Sequence, residues 1–187
     1  MLSKRQAATV DTLLEAGIEA LHEVGWDGLS LRDVAIRAGV THTTAYNYFT
    51  SKEHLVAEIN WRLLTALPDP EPKPGTSLAE RLTGALRGAT EMFVGDAELA
   101  TAVFASMVAR DPDIQRLRDA IGAELLRRLE VAAGPEHDPQ VVWAALMLYS
   151  GAMLQAGMGY FAFDGVMGQV ESILGMVDPR GAGPSTG

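Results

Sequence analysis

The stretch SLRDVAIRAGVTHTTAYNYF, residues 30–49, predicts two short helices joined by a tight turn. Ser30 is a favourable helix N-cap, and Asp33 three residues later would complete a capping box. Gly39 stands where a turn between helices needs a residue that tolerates positive φ, and Thr41 can cap the second helix. Two short helices around a glycine turn are typical of a helix-turn-helix.

The outward face of the second helix is polar but carries neither Glu nor Lys. Because Ala45 and Phe49 lie four residues apart, both would face inward. The outward face then consists of His42, Thr43, Tyr46 and Asn47, flanked by Thr44 and Tyr48. Such side chains can hydrogen-bond base edges and phosphates, and a Thr methyl can contact a thymine methyl. An ordinary helical hairpin with a solvated face is the alternative, although such hairpins more often expose Glu and Lys.

The residues that follow favour the DNA-binding interpretation. Thr50-Ser51-Lys52-Glu53 predicts another capping box, which opens a further helix. The run LRDVAIRAGVTHTTAYNYFTSKEHLV, residues 31–56, resembles the DNA-binding region of the TetR family of transcriptional regulators. The resemblance covers about residues 5–62 and rests on the aromatic pair Tyr46 and Phe49 and on the Ser-Lys-Glu-x-Leu after them. Ala45 departs from the family pattern, which usually has a larger aliphatic residue there.

The resemblance implies an all-α fold. An N-terminal three-helix helix-turn-helix head, residues 1–50, would be joined by a connecting helix to a larger helical ligand-binding and dimerisation body, residues 51–177. Four alternating prolines within residues 68–75 would interrupt any helix and predict an extended linker or loop. Residues 178–187 are rich in Pro, Gly and Ser and predict a flexible tail.

The same surface supplies the predicted DNA contacts. We assign His42, Thr43 and Asn47 to base edges. Phosphate contacts are assigned to Thr44, Tyr46, Tyr48, Lys52 and Arg32. Thr41 belongs to this surface because the amides at a helix N-terminus can bind phosphate.

The net negative charge of the chain argues against non-specific nucleic-acid binding. The net charge is −9, and residues 1–62 alone hold six Lys and Arg against eight Asp and Glu. A positive patch would therefore depend on a few cations that cluster in space, and the candidates are Lys4, Arg5, Arg32, Arg37 and Lys52. We expect few phosphate contacts and a weak dependence on salt.

Apolar residues at helical spacing predict further helices over residues 3–24, 77–94, 97–109, 111–134 and 166–177. Five arginines fall on or beside the fourth of these. We expect them on its solvated face, together with nearby acids. They are Arg110, Arg116, Arg118, Arg127 and Arg128.

Residues 139–163 contain no charged side chain and are longer than a bilayer span requires. A transmembrane helix is one interpretation. Three glycines interrupt the segment, however, and acidic rather than basic residues flank it. These features favour instead a helix buried on every side, with one face on its own body and the other on a partner chain. The small residues Ala145, Gly151, Ala152 and Ala156 would allow a close crossing.

By the resemblance, residues 139–163 and 166–177 form the seam of a homodimer, and an effector pocket lies among the middle helices of the body. Methionine and aromatic side chains suit adaptable pockets. The positions carried over are Phe93, Phe104, Met107, Met147 and Tyr149. Because few charges fall at inward positions, we expect a small, neutral, hydrophobic effector.

The sequence contains no recognisable catalytic set. It has no Cys, its four His lack metal-ligand spacing, and neither a G-x-S-x-G motif nor a phosphate loop occurs. We therefore expect no enzyme, no cofactor and no metal site. The N-terminus carries acids too early for a signal peptide, which predicts a cytoplasmic protein.

Together these features predict a ligand-responsive DNA-binding transcriptional regulator, a homodimeric repressor released from a palindromic operator by its effector. Two alternatives remain open from sequence. One is a membrane-anchored helical protein that uses residues 139–163 as a span. The other is a helical interaction module with a vestigial helix-turn-helix, which the acidic head favours.

Overall fold

The structure, a computed structural model, describes residues 3–71 and 75–177. Within those ranges the chain forms α-helices and one 3-10 turn, Phe163–Gly165, and contains no strand. The helices are α1 Lys4–Gly28, α2 Leu31–Arg37, α3 His42–Tyr48, α4 Lys52–Ala66, α5 Leu78–Glu91, α6 Ala97–Met107, α7 Pro112–Ala133, α8 Pro139–Gly157 and α9 Val166–Val177. The all-α prediction is confirmed. The predicted tail, residues 178–187, and residues 72–74 of the proline run lie outside the described residues.

The chain packs into two compact units. One contains residues 1–64 and 96–120, and the other contains residues 65–95 and 121–187. The boundaries fall inside α4 and α7 and at the junction of Gly95 and Asp96. In the first unit α6 packs on α1, so packing groups α6 with the helix-turn-helix. The functional division at residue 50 remains a proposal.

The first unit is held together by the inward faces that the sequence predicts. Leu13 and Leu21 of α1, Val34 of α2 and Leu55 of α4 are fully buried. Gly17 allows α4 to approach α1, because a Cβ at this position would lie 2.9 Å from Leu55 Cδ2. The helix-turn-helix is held to this core through α2, which packs on α1 and on α3.

Helix ends follow local chemistry, with two differences from the sequence prediction. Ser51, and not Thr50, caps α4, since the Ser51 hydroxyl accepts the His54 N–H at 3.1 Å. The Thr50 N–H instead donates to His54 Nδ1 at 3.2 Å. At α2 the Ser30 hydroxyl accepts the Asp33 N–H at 3.1 Å and donates to the Asp33 carboxylate. The Ser30 hydroxyl therefore caps α2, but the Asp33 carboxylate bonds that hydroxyl and not the Ser30 backbone N–H, so the capping box is incomplete.

The second unit packs α9 against α5 and α8. The buried side chains include Leu82 and Leu86 of α5, Val142 and Leu146 of α8, and Val170 and Leu174 of α9. The predicted helix over residues 139–163 is too long, because α8 ends at Gly157 and Gly159 takes φ +80°. Across residues 3–71 and 75–177, no helix combines the length and the apolar character that crossing a membrane requires.

The expectation that five arginines share a solvated face of α7 is wrong for Arg128. This side chain is buried, and its guanidinium donates to the carbonyls of Leu67 and Pro68 just beyond α4. A cation at the carboxyl end of a helix is stabilised by the helix dipole. Arg128 Nε has no hydrogen-bond partner among the described residues. The prediction from helical spacing was wrong because spacing within α7 does not show that the end of α4 lies beside Arg128.

Candidate DNA-binding face and body sites

Helix α3 is short and owes its position to the residues at its two ends. Thr41 caps it, with its hydroxyl accepting the Thr44 N–H at 3.1 Å. Gly39 adopts φ +67° in the turn before it. Ala45 and Phe49 are buried against the unit, as their spacing predicts. The opposite side of α3 is therefore forced outward.

The predicted outward face is exposed in the structure. Thr41, His42, Thr43, Tyr46 and Asn47 are exposed, while Thr44 and Tyr48 are half-buried at its flanks. The rings of His42 and Tyr46 contact each other with centroids 4.5 Å apart, which restricts both side chains. The face presents hydroxyl, imidazole and amide groups that both donate and accept hydrogen bonds. This geometry can hydrogen-bond base edges in a major groove.

Lys52 lies at the start of α4, beside α3, and is partly committed to the fold. Its Nζ donates to the Trp26 carbonyl at 2.8 Å and lies 4.2 Å from the centroid of the Trp26 ring. An ammonium has three donors, so donors remain for an additional partner. These two contacts with Trp26 hold the Lys52 ammonium against the last turn of α1.

The basic residues of the first unit divide into paired and unpaired groups. Arg37 pairs with Glu19 and Glu23, and its hydrogen bond holds the pKa of the Glu23 carboxyl below the usual range. The expectation that Arg37 adds to a positive cluster is therefore weakened. Among the described residues, Lys4, Arg5 and Arg32 have no ion-pair partner, and Arg32 is exposed on α2. Together with Lys52, they are the described cations among residues 3–62 that have no carboxylate partner.

The five predicted effector residues fall in different environments. Phe93 and Tyr149 are buried in the second unit, whereas Met147 is 57% exposed on α8. Phe104 and Met107 are half-buried on α6, which belongs to the first unit. Within the second unit, Phe93 packs against Phe163 with ring centroids 5.7 Å apart.

The Tyr149 hydroxyl is buried with poor hydrogen bonding. It lies 3.5 Å from the Thr90 hydroxyl, which is longer than a good O–H···O bond. The same Thr90 hydroxyl is 3.2 Å from the Leu86 carbonyl and 3.2 Å from Met167 Sδ. Burial raises the pKa of the Tyr149 hydroxyl to about 12. A buried hydroxyl that has only a weak hydrogen bond can form a stronger one with a polar atom of a bound molecule.

An open groove of about 1070 Å³ lies in the second unit beside α5 and α9. None of the five predicted effector residues lines it. Its walls carry charged side chains, which include Asp69, Glu71, Arg81, Arg87 and Glu171. These walls do not fit a neutral hydrophobic molecule. Among the described residues, no group of three or more His, Asp and Glu side chains is arranged to hold a metal ion.

A stripe of apolar side chains is exposed along α8. It consists of Trp143, Met147, Leu154 and Met158, all at least 47% exposed. Ile173 and Met176 of α9 are also exposed. Ala145, Ala152 and Ala156, three of the four small residues that the sequence offers for a close helix crossing, are buried within their own unit. Gly151 is half-buried on the stripe, with nothing within 4 Å of a built Cβ.

A family model described as bacterial regulatory proteins of the tetR family matches residues 13–59. An HTH-type transcriptional regulator of Mycobacterium tuberculosis strain H37Rv is 35% identical over 187 residues, which cover 99% of this chain and 87% of the relative. A TetR transcriptional regulator from Rhodococcus sp. RHA1 matches with a TM-score of 0.75 and 22% identity, over 93% of this chain and 97% of that chain. FadR of Thermus thermophilus, a TetR-family transcriptional repressor in complex with lauroyl-CoA, matches with a TM-score of 0.61 and 16% identity. The match covers 95% of this chain and 99% of that chain.

Proposed function

This chain belongs to the TetR family of transcriptional regulators, and from that premise we propose that it is a homodimeric repressor released from a palindromic operator by a small hydrophobic effector. Regulators of this family are not enzymes. The observation that carries the proposal is the exposed polar face of α3, which is fixed by the cap at Thr41 and by the burial of Ala45 and Phe49. We place the protein in the cytoplasm, where its DNA would lie.

In the proposed complex, α3 of each subunit enters a major groove. His42, Thr43 and Asn47 contact base edges, because their side chains can both donate and accept hydrogen bonds. Tyr46, Tyr48, Thr44 and Thr41 fix the position of α3 on the phosphates, together with Arg32 and the remaining donors of Lys52. Two-fold symmetry sets the half-sites roughly 34 Å apart, about one helical turn, or slightly more.

The dimer is proposed to form through the exposed stripe of α8 and the exposed residues of α9. Contiguous apolar side chains on a surface are typical of sites that another protein covers. A second copy of the chain would present the same stripe, as a two-fold interface requires. The stripe also explains why residues 139–163 contain no charge without invoking a membrane.

We propose that the effector binds in the second unit near Phe93 and Tyr149. FadR of Thermus thermophilus is in complex with lauroyl-CoA, and in this chain Tyr149, Thr90 and Met167 are buried together in the second unit. The Tyr149 hydroxyl would hydrogen-bond a single polar atom on an otherwise apolar effector. Phe104, Met107 and Met147 remain candidates from the sequence, with Met147 more consistent with the dimer stripe. The effector would release DNA by shifting α4, which leads directly from α3.

The test is selection of random duplex DNA by the purified full-length protein, followed by gel shift of the recovered sequences. We expect a palindrome with the spacing given above and a dimer as the bound species. Recovery of no preferred sequence would contradict the proposed function. For the effector site, thermal shift with 1-dodecanol is expected to stabilise the protein and to do so less in a Tyr149→Phe variant. Stabilisation by lauroyl-CoA alone would contradict a neutral effector.

A further inference from the structure

The chain passes from the second unit to the first at the peptide between Gly95 and Asp96. Gly95 takes φ +83°, a conformation that glycine adopts at little cost. Asp96 directly follows and is the N-cap of α6. The first residue of the chain after this junction is therefore the one that starts α6.

Asp96 uses both carboxylate oxygens. Oδ1 accepts the Leu99 N–H at 2.9 Å and so caps α6. Oδ2 lies 2.9 Å from Nε2 of His22 on α1. A single carboxylate thus starts α6 and ties that start to α1. Nothing in helix capping requires the second bond, since a Ser at this position would also cap the helix.

A second contact supports the same arrangement. Gly25 breaks α1 with φ +69° and ψ 176°. A Cβ at Gly25 would lie 3.1 Å from Glu98 Oε2, so the Glu98 side chain of α6 reaches the backbone at Gly25. The first turn of α6 thus contacts α1 near Gly25 in addition to the hydrogen bond at His22.

The end of α1 that carries His22 also holds the helix-turn-helix. Glu19 and Glu23, on either side of His22 in sequence, pair with Arg37, the last residue of α2. The Gly39 turn and α3 follow within a few residues. A continuous series of contacts consequently leads from Asp96 through α1 to α2, all within the first unit.

We propose that His22 and Asp96 are positioning residues that latch α6 to α1 in the DNA-binding arrangement of the head. The proposal rests on the proposed function. Without this latch, α1 and the Arg37 contact no longer hold α3 at the angle that the operator requires. Neither His22 nor Asp96 is among the residues assigned to DNA.

A hydrogen-bonded pair with a purely structural role makes a different prediction. The His22 and Asp96 side chains are 48% and 28% exposed, and pairs exposed to this extent contribute little to stability. If the pair only stabilises the fold, its loss leaves operator affinity almost unchanged. If it is a latch, the effect on operator affinity is larger than the effect on melting, because sites coupled in this way commonly change affinity by about 5- to 150-fold.

The experiment uses the full-length protein and the operator that the wild type selects from random duplexes. His22→Ala removes the latch, and Asp96→Ser removes it while keeping a good N-cap. Glu15→Gln, an exposed acid elsewhere on α1, is the matched control for loss of one carboxylate. We expect each latch variant to raise the operator Kd about tenfold, the double variant to raise it no further, and the control to stay near wild type.

The outcomes separate the latch from the function on which it rests. If the wild type selects no operator, the proposed function fails. If the wild type binds tightly and His22→Ala binds equally well, the latch is overturned. Effects that add in the double variant overturn it as well, because the two residues would then act independently. His22→Ala leaves every helix cap intact. Its effect on operator affinity therefore tests the latch even if Asp96→Ser lowers the melting temperature by weakening the cap of α6.

Discussion

Helices α3 and α8 each have an outward face that their own unit leaves uncovered, and the two faces differ in chemistry. The face of α3 is made of hydroxyl, imidazole and amide groups, whereas that of α8 presents Trp143, Met147, Leu154 and Met158. Water solvates the first at little cost, but not the second. The α3 face is therefore suited to a hydrated, polar partner such as DNA, and the α8 face to an apolar protein surface.

The largest expected effect comes from a charge in the middle of the α8 stripe. Gly151→Asp would place a carboxylate between Met147 and Leu154 in the proposed dimer interface. An unpaired buried charge costs about 3–5 kcal/mol, so we expect the dimer dissociation constant to rise by at least about 100-fold. Analytical ultracentrifugation measures this directly. Operator binding should fall with it, since a dimer is needed to span two half-sites.

Gly84→Asp on α5 is the matched control for Gly151→Asp. Gly84 is also a helical glycine with nothing within 4 Å of a built Cβ, and it is exposed. Both variants lose a glycine and gain a carboxylate, but only one lies on the stripe. If the Gly151→Asp protein is fully dimeric, the dimer interface does not lie on the α8 stripe.

The next largest effect is expected on the α3 face. Asn47→Ala removes a proposed base contact, and such contacts discriminate between bases by about 1–3 kcal/mol. Operator affinity should fall by about one to two orders of magnitude and specificity should relax at one base-pair position. Tyr46→Phe should instead lower affinity for all sequences alike, because it removes a proposed phosphate contact. Melting and dimerisation should be unchanged in both, and operator affinity unaltered by Asn47→Ala would refute the assigned face.

The α3 face could be predicted from sequence because every signal needed for it is local. Gly39 marks the turn, Thr41 the cap, and the spacing of Ala45 and Phe49 the buried side. The structure has all four as predicted. The predicted cap of α4, Thr50, was wrong by one position, since Ser51 caps the helix. Thr and Ser are both good N-caps, so the sequence alone does not decide between two that are adjacent.

The two faces of α8 could not be separated in the same way. Its apolar residues continue around the helix, so periodicity does not distinguish the side that packs on α9 from the side left open. The structure shows that Ala152 faces its own unit while Gly151 lies on the stripe. Contacts between residues far apart in the sequence could not be predicted either, since no pattern in the sequence connects His22 with Asp96.

The smallest expected effect distinguishes two arginines of α2 that the sequence treats alike. Arg32 is exposed and has no ion-pair partner among the described residues, whereas Arg37 is held by Glu19 and Glu23. Each phosphate neutralised contributes about 0.9 to the slope of log K against log salt. Because a dimer contains two copies, Arg32→Gln should flatten that slope by about 2, and Arg37→Gln should leave it nearly unchanged. Operator titrations between about 50 and 200 mM salt measure both slopes. Equal flattening by the two variants would show that DNA draws Arg37 away from its glutamates. The head would then meet DNA with a charged surface unlike the one it has alone.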